Sequence, residues 1–193
     1  KWAGSALYGP LLGLTRALER ASYATAAAVI VTNDSYARLA MGRGGVPAER
    51  IAVVRNAPPG DRFRALGEGV EPPSDASFRI GYLGVMGSQD GVELLIEAIA
   101  RLGTLAPELA VHADLVGDGE ARRRLEALAD RLGLADRVTF HGYRPPEVFV
   151  PILAATHVCV SPDPPTPFNQ VSTMTKVVEY LAIGRPVVAF DLL

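Results

Sequence analysis

Arg79-Ile-Gly-Tyr-Leu-Gly-Val-Met-Gly-Ser-Gln-Asp-Gly-Val-Glu-Leu-Leu-Ile-Glu-Ala-Ile-Ala-Arg-Leu102 changes its hydrophobic rhythm once, and that change decides the fold. Residues 79–83 have the composition of a short strand, and Gly84-Val-Met-Gly87 that of a glycine turn. Val92, Leu95, Ile96, Ile99 and Leu102 then recur at the spacing of one helix face. The unit repeats downstream. Residues 111–116 make a strand closed by Gly117-Asp-Gly119, and Leu125, Leu128 and Leu132 stripe the helix after it. Residues 138–141 are a strand ending at Gly142, 146–155 a helix, and 158–161 a strand. Residues 172–183 are a helix stopped by Gly184 and Pro186, and 187–190 are the last strand. This alternation predicts an α/β, Rossmann-like parallel sheet with helices on both faces. Such sheets bind ligands outside the carboxyl ends of their strands, which singles out the loops at Gly84, Gly117, Gly142 and Pro162.

Upstream, residues 28–32 and 51–55 are short β-branched runs around a helix at 35–44, with Asn33, Asp34 or Ser35 as its cap. Asn56-Ala-Pro-Pro-Gly60 breaks the pattern, and residues 67–77 carry Gly, Pro, Ser and acid but little that packs. The expected organisation is the carboxyl-terminal part of one Rossmann-like domain over 1–66, a linker over 67–77, and a second domain over 78–193, incomplete at its end. The opening Lys1-Trp2 and the stop just after a strand suggest a fragment truncated at both ends.

With 193 residues, 49% of them hydrophobic, the chain can bury a sizeable core. Its 19 basic and 21 acidic residues give a net charge of −2, and without a long basic run nucleic acid is a disfavoured partner. One cysteine, Cys159, excludes a disulfide framework and fits a reducing compartment. It lies in an apolar run and reads as a buried strand residue rather than a nucleophile. The longest apolar stretch, residues 24–31, is far too short to span a membrane.

The chemistry concentrates in Asn169-Gln-Val-Ser-Thr-Met-Thr-Lys-Val-Val-Glu-Tyr-Leu-Ala-Ile-Gly184. On a continuous helix Ser172, Lys176 and Glu179 stand at i, i+4 and i+7 as one polar stripe. Met174, Val177, Val178 and Leu181 would then face the sheet. A cation in the first half of a helix opposes the helix dipole, at a cost of a few tenths to about 1 kcal/mol. A bound anion relieves it: backbone amides, the Ser172 and Thr173 hydroxyls and the Lys176 ammonium converge as on a phosphate or diphosphate. Glu179, two turns in, suits a ribose diol. Taken alone, the stripe fits a solvated face with a Lys176–Glu179 pair better, because charged stripes are usually solvated. Its place after a strand and the rigid loop Pro162-Asp-Pro-Pro-Thr-Pro167 favours the ligand. Tyr143 and Arg144, after Gly142, can bracket a base. His112 and His157 read as strand residues, and His141 ends a strand at the ligand edge.

These residues resemble the GT-B glycosyltransferases of the group-1, family-4 type, in the form of the bacterial polysaccharide-building members. The likeness runs through Gly142, Ser161-Pro162 and Lys176-Val-Val-Glu-Tyr-Leu-Ala-Ile-Gly-Arg-Pro-Val-Val-Ala189, and covers most of residues 20–193. Glu179 stands where the family glutamate binds the nucleotide ribose. Asp114-Leu-Val-Gly-Asp-Gly119 is similar to the family's Gly-x-Gly turn, and residues 138–142 to its strand leading into the nucleobase loop. Residues 28–56 resemble the end of the acceptor domain. Two departures stand out. Val85 and Asp90 occupy the basic positions of the family's first donor loop, and Val171 the place of an acidic residue. Lys176 is the candidate replacement cation, and Asn169, Gln170 or Ser172 the candidate replacements for the acid.

The resemblance implies a retaining glycosyltransferase that moves a sugar from a UDP-sugar or GDP-sugar to a glycan or lipid-linked acceptor, with the fragment alone inactive. Lys176 would be the catalytic cation, with Gly84, Gly87, Gly117, Gly142, Tyr143, Ser172, Thr173 and Glu179 holding the nucleotide. No Asp-x-Asp pair occurs, so no metal and no cofactor beyond the donor is expected. The implied setting is cytoplasmic, with peripheral contact at the inner face of a membrane, through the missing amino-terminal part, left open. A nucleotide-binding module without turnover and a sugar-nucleotide epimerase of GT-B architecture are the alternatives.

Overall fold

A computed structural model describes residues 8–74 and 77–192. They fall into two compact units, the first comprising the described residues up to 56 with 171–173, the second those from 57 to 170 with 174–192.

In the first unit, α1 (Tyr8–Thr25) precedes β1 (Val29–Val31), α2 (Asp34–Gly44) and β2 (Ile51–Val53), and β1 and β2 pair in parallel. Asn33 caps α2: its side chain accepts from the Tyr36 amide at 2.8 Å. Gly45 closes the helix in the left-handed conformation. Helix α1 has no counterpart in the sequence reading. None of its residues is buried, so no consistent apolar face announced it.

The second unit carries a five-stranded parallel sheet: β3 (Ser77–Leu83), β4 (Ala110–Val116), β5 (Val138–Gly142), β6 (Val158–Ser161) and β7 (Val187–Ala189), in the order β5-β4-β3-β6-β7. The helices are α3 (Gly60–Gly67), α4 (Val92–Leu105), α5 (Arg122–Arg131), α6 (Pro146–Ala154) and α7 (Thr175–Ala182). Alternate strand residues feed two cores, as the pleat requires. Ile80, Tyr82, Val111, Ala113, Leu115 and Val138 pack with α4 and α5 on one face. Val116 and Cys159 pack with Phe63, Phe149, Val150, Leu153, Tyr180 and Ile183 on the other. The predicted α/β sheet with helices on both faces is therefore the observed one.

Three expectations are corrected. The division between units falls at Asn56/Ala57, not after residue 66. Helix α3 belongs to the second unit because Phe63 is buried there, edge-on to Phe149 at 5.5 Å. The expected linker at 67–77 is correspondingly shorter, and its residues 75 and 76 lie outside the described residues. The last helix begins at Thr175, not at residue 172: a 3-10 turn, Asn169–Val171, and a short extended stretch precede it. Finally, α7 is turned from the predicted orientation, with Met174, Val177 and Val178 only half-buried. Lys176 and Tyr180 are its buried residues, while Leu181 is exposed.

Cys159 is fully buried, and burial pushes its thiol up to about 11, so it is packing material, as expected. No described helix is long and apolar enough to cross a membrane.

Candidate functional site

The sheet order reverses direction beside β3: β4 lies on one side and β6 on the other. Loops leaving adjacent strands to opposite sides open a crevice at the carboxyl edge. Here those are the loop after β3, residues 84–91, and the loop after β6, residues 162–168. Their backbones touch closely. A side chain on Gly91 would overlap the Pro162 carbonyl oxygen, and at φ +65° the position suits glycine on conformational grounds too. Asn169, fully buried, ties the two loops together by donating to the carbonyls of Gln89 at 3.0 Å and Pro164 at 2.8 Å.

Three of the four glycines singled out from the sequence, Gly84, Gly117 and Gly142, meet along this edge; of the four, only Gly84 and Gly117 line the cleft there, and Gly87 and Gly142 do not. Gly84 N–H donates to Val116 O at 3.0 Å, Met86 N–H to Asp118 O at 3.0 Å, and Gly117 N–H to Gly142 O at 2.9 Å. The sheet ladder thus continues past the strand ends, and Gly84, Gly117 and Gly142 become neighbours. Gly117, at φ +131°, lies directly under the Gly84 carbonyl.

A cleft of about 450 Å³ opens over these turns. Gly84, Gly117, Tyr143 and Glu179 line it, together with Arg144, Asp118, Val85, Leu83 and Val116. Pro59, Phe63, Pro146 and Phe149 form apolar walls of the same cleft. Those wall residues from α3 and α6 escaped the sequence reading, because residues 60–67 carry too little periodicity to announce a helix. Tyr143 is 80% exposed, its ring available for stacking. A second groove, about 480 Å³, is lined almost wholly by apolar side chains from β3, α4, β6 and β7 and offers little to a charged ligand.

Glu179 is half-buried, and burial pushes its carboxyl above the usual range, with Lys176 pulling it partly back. A folded-state carboxyl that binds its proton more tightly than the unfolded one makes the charged form costly once pH exceeds the ordinary carboxylate range; below that range the cost vanishes. Glu179→Gln is therefore expected to raise Tm at about pH 7 and to leave it unchanged near pH 3–4. Thermal scans at both pH values check this; a lower Tm at neutral pH would show the carboxylate to be structurally satisfied.

Lys176 does not line the cleft. It is 8% exposed and stands behind Gly84: a Cβ on Gly84 would be 3.2 Å from the lysine Cε. Its ammonium donates to both oxygens of the fully buried Asp163, at 2.8 and 3.1 Å, and lies 5.1 Å from the centroid of the Tyr82 ring. Ser161 Oγ donates to the same carboxylate. Asp163 was seen in the sequence only as part of a proline loop. Asp90, the acid at a family basic position, accepts from Gly87 N–H at 2.9 Å. Burial pushes its carboxyl up.

Ser172 and Thr173 are placed elsewhere than on α7. Both cluster with the first unit, where Thr173 Oγ1 accepts from Asn33 Nδ2 at 3.1 Å and Ser172 Oγ is 3.3 Å from the Tyr36 hydroxyl. The start of α7 itself has no side-chain cap. His141 faces Asp114, with Nε2 2.8 Å from Oδ1, rather than the cleft lining.

Against known proteins, the model of the glycosyl transferases group 1 family matches residues 77–193. The lipopolysaccharide core biosynthesis glycosyltransferase LpsE of Rhizobium meliloti is 35% identical over 62% of this chain and 31% of its own length. The D-inositol 3-phosphate glycosyltransferase of Corynebacterium urealyticum is 32% identical over 81% of this chain and 36% of its own. Among solved structures, the sucrose-phosphate synthase of Thermosynechococcus elongatus superposes with TM-score 0.67 at 26% identity, covering 92% of this chain and 44% of that one. Anabaena HepE, solved with UDP and glucose, superposes with TM-score 0.65 at 24% identity over 90% and 47%. At that identity the likeness to HepE speaks for the GT-B fold alone. The chain spans about a third of the length of the curated relatives it matches.

Proposed function

The chain belongs to the glycosyl transferases of group 1, and from that premise we propose that its second unit binds the nucleotide diphosphate of a sugar donor for a retaining, metal-independent glycosyl transfer. The single observation that carries this reading is the cleft at the switch point, where a glycine-lined edge, an exposed tyrosine, an arginine and a half-buried carboxylate meet. The base lies between Tyr143 and the apolar wall of Phe63, Pro146 and Phe149. The ribose hydroxyls donate to Glu179. The diphosphate lies over Gly84 and Gly117, whose missing side chains let it approach the backbone, with Lys176 behind Gly84.

Transfer requires that charge building on the departing diphosphate be stabilised as its bond to the anomeric carbon lengthens, and Lys176 supplies that positive charge. The acceptor is a glycan or a lipid-linked sugar, in keeping with the lipopolysaccharide-core relative.

Calorimetric titration of the chain with UDP and GDP, against their nucleosides, tests the reading. Binding is expected to need the diphosphate. Lys176→Ala and Glu179→Ala should each weaken it about ten- to hundredfold, the range for losing a hydrogen bond to a charged group. Equal affinity in all three proteins would remove the site.

A further inference from the structure

We propose that Asp163 is a positioning residue: it holds the Lys176 ammonium beneath the Gly84 turn, so that the cation meets the diphosphate without first being ordered. The inference rests on the reading that Lys176 faces the phosphates.

Four observations carry it. The lysine makes two hydrogen bonds to one carboxylate, which fixes the end of a side chain that would otherwise sample many rotamers. That carboxylate is itself fixed by Ser161 at the end of β6. Its loop is clamped to the loop carrying Gly84 by Asn169 and by the close approach of Pro162 to Gly91. And Gly84, a lining residue of the cleft, has no side chain, so the Tyr82 hydroxyl and the lysine Cε stand 2.9 and 3.2 Å from where its Cβ would be. An ammonium has three donors, and the hydrogen bonds to Asp163 occupy two of them. The other ionisable groups around it are Asp90 on the β3 loop, Tyr82 on β3 and Glu179 on α7 itself. Of these acids, Asp163 is the one that hydrogen-bonds the ammonium. The arrangement also accounts for the departure in the first loop. Where the family carries a lysine, this chain has Asp90, and the cation comes from the far side of the crevice with its own counter-ion.

The test is a binding cycle read by calorimetry with UDP and uridine, each protein first confirmed folded by circular dichroism. Asp163→Asn is expected to weaken UDP about tenfold, as for a long side chain that must now be ordered on binding, and to leave uridine unchanged. Combined with Lys176→Met it should add no further loss, because Asp163 acts only through the lysine. Asp163→Glu should recover part of the affinity. If either single variant fails to fold, Ser161→Ala takes its place: it should weaken UDP in the parent chain and do nothing in the Asp163→Asn/Lys176→Met background, where no buried charge is left unpaired. Equal or tighter UDP binding by Asp163→Asn, equal loss of uridine, or additive losses would overturn the positioning role. Wild-type UDP affinity in Lys176→Met would instead sink the phosphate reading on which it rests.

Discussion

Lys176→Met is expected to lower the unfolding free energy by about 3–5 kcal/mol, the cost of leaving a buried carboxylate without its partner. The pair qualifies as buried from both ends: the lysine side chain is 10% exposed and the aspartate 1%. An exposed ion pair would be worth at most about 1 kcal/mol, so the magnitude distinguishes the two situations. Chemical denaturation near neutral pH measures it. The Asp163→Asn/Lys176→Met double variant should recover most of the loss, because removing both charges of a buried pair is often close to neutral. A loss under about 1 kcal/mol in the single variant would mean that water reaches Asp163, and the packing account of α7 would fail with it.

Gly117→Ala carries the second large effect. At φ +131° any side chain is strained, at about 1–3 kcal/mol. The added methyl would also overlap the Gly84 carbonyl, which is backbone and cannot rotate aside. Relief requires prising the β3 and β4 loops apart, breaking the Gly84-to-Val116 and Met86-to-Asp118 hydrogen bonds. The variant should therefore lose several kcal/mol of stability, by about 1–3 kcal/mol from overpacking added to the strain, and any that folds should have lost UDP affinity. Gly133→Ala is the control. It sits at φ +70° with open space around its would-be side chain, so it carries conformational strain without the collision. Similar losses in both would show that conformation alone, and not the approach of the two loops, sets the cost.

The glycines and Glu179 were legible because the signals that mark them are local. A turn after a strand needs glycine within a residue or two of the strand end, and Glu179 sits a fixed distance before the Gly184 stop. The polar stripe was misread for an equally physical reason. Periodicity assumes a continuous helix from residue 172, but the chain stays extended until Thr175, which removes Ser172 and Thr173 from the stripe. Hydrophobicity then assigned Leu181 to the sheet and left Lys176 on the opposite stripe, facing the ligand. Instead Leu181 is exposed and Lys176 buried, because a charged residue can be buried when an opposite charge is buried with it, and hydropathy has no entry for a pair.

From the residues alone came the α/β alternation, the loops along the carboxyl edge and the glutamate of the proposed ribose contact. Each depends on neighbours within a turn or two, so each is written in spacing. The partner of Lys176, the inward face of α7, the packing of α3 beneath the cleft and the clustering of residues 171–173 with the first unit were decided by tertiary structure. The first of these follows from the order β5-β4-β3-β6-β7, which sets the β6 loop, with Asp163, against the β3 loop. Strand order is a property of the whole sheet, and the burial that gives the ion pair its energy exists only once the sheet has formed.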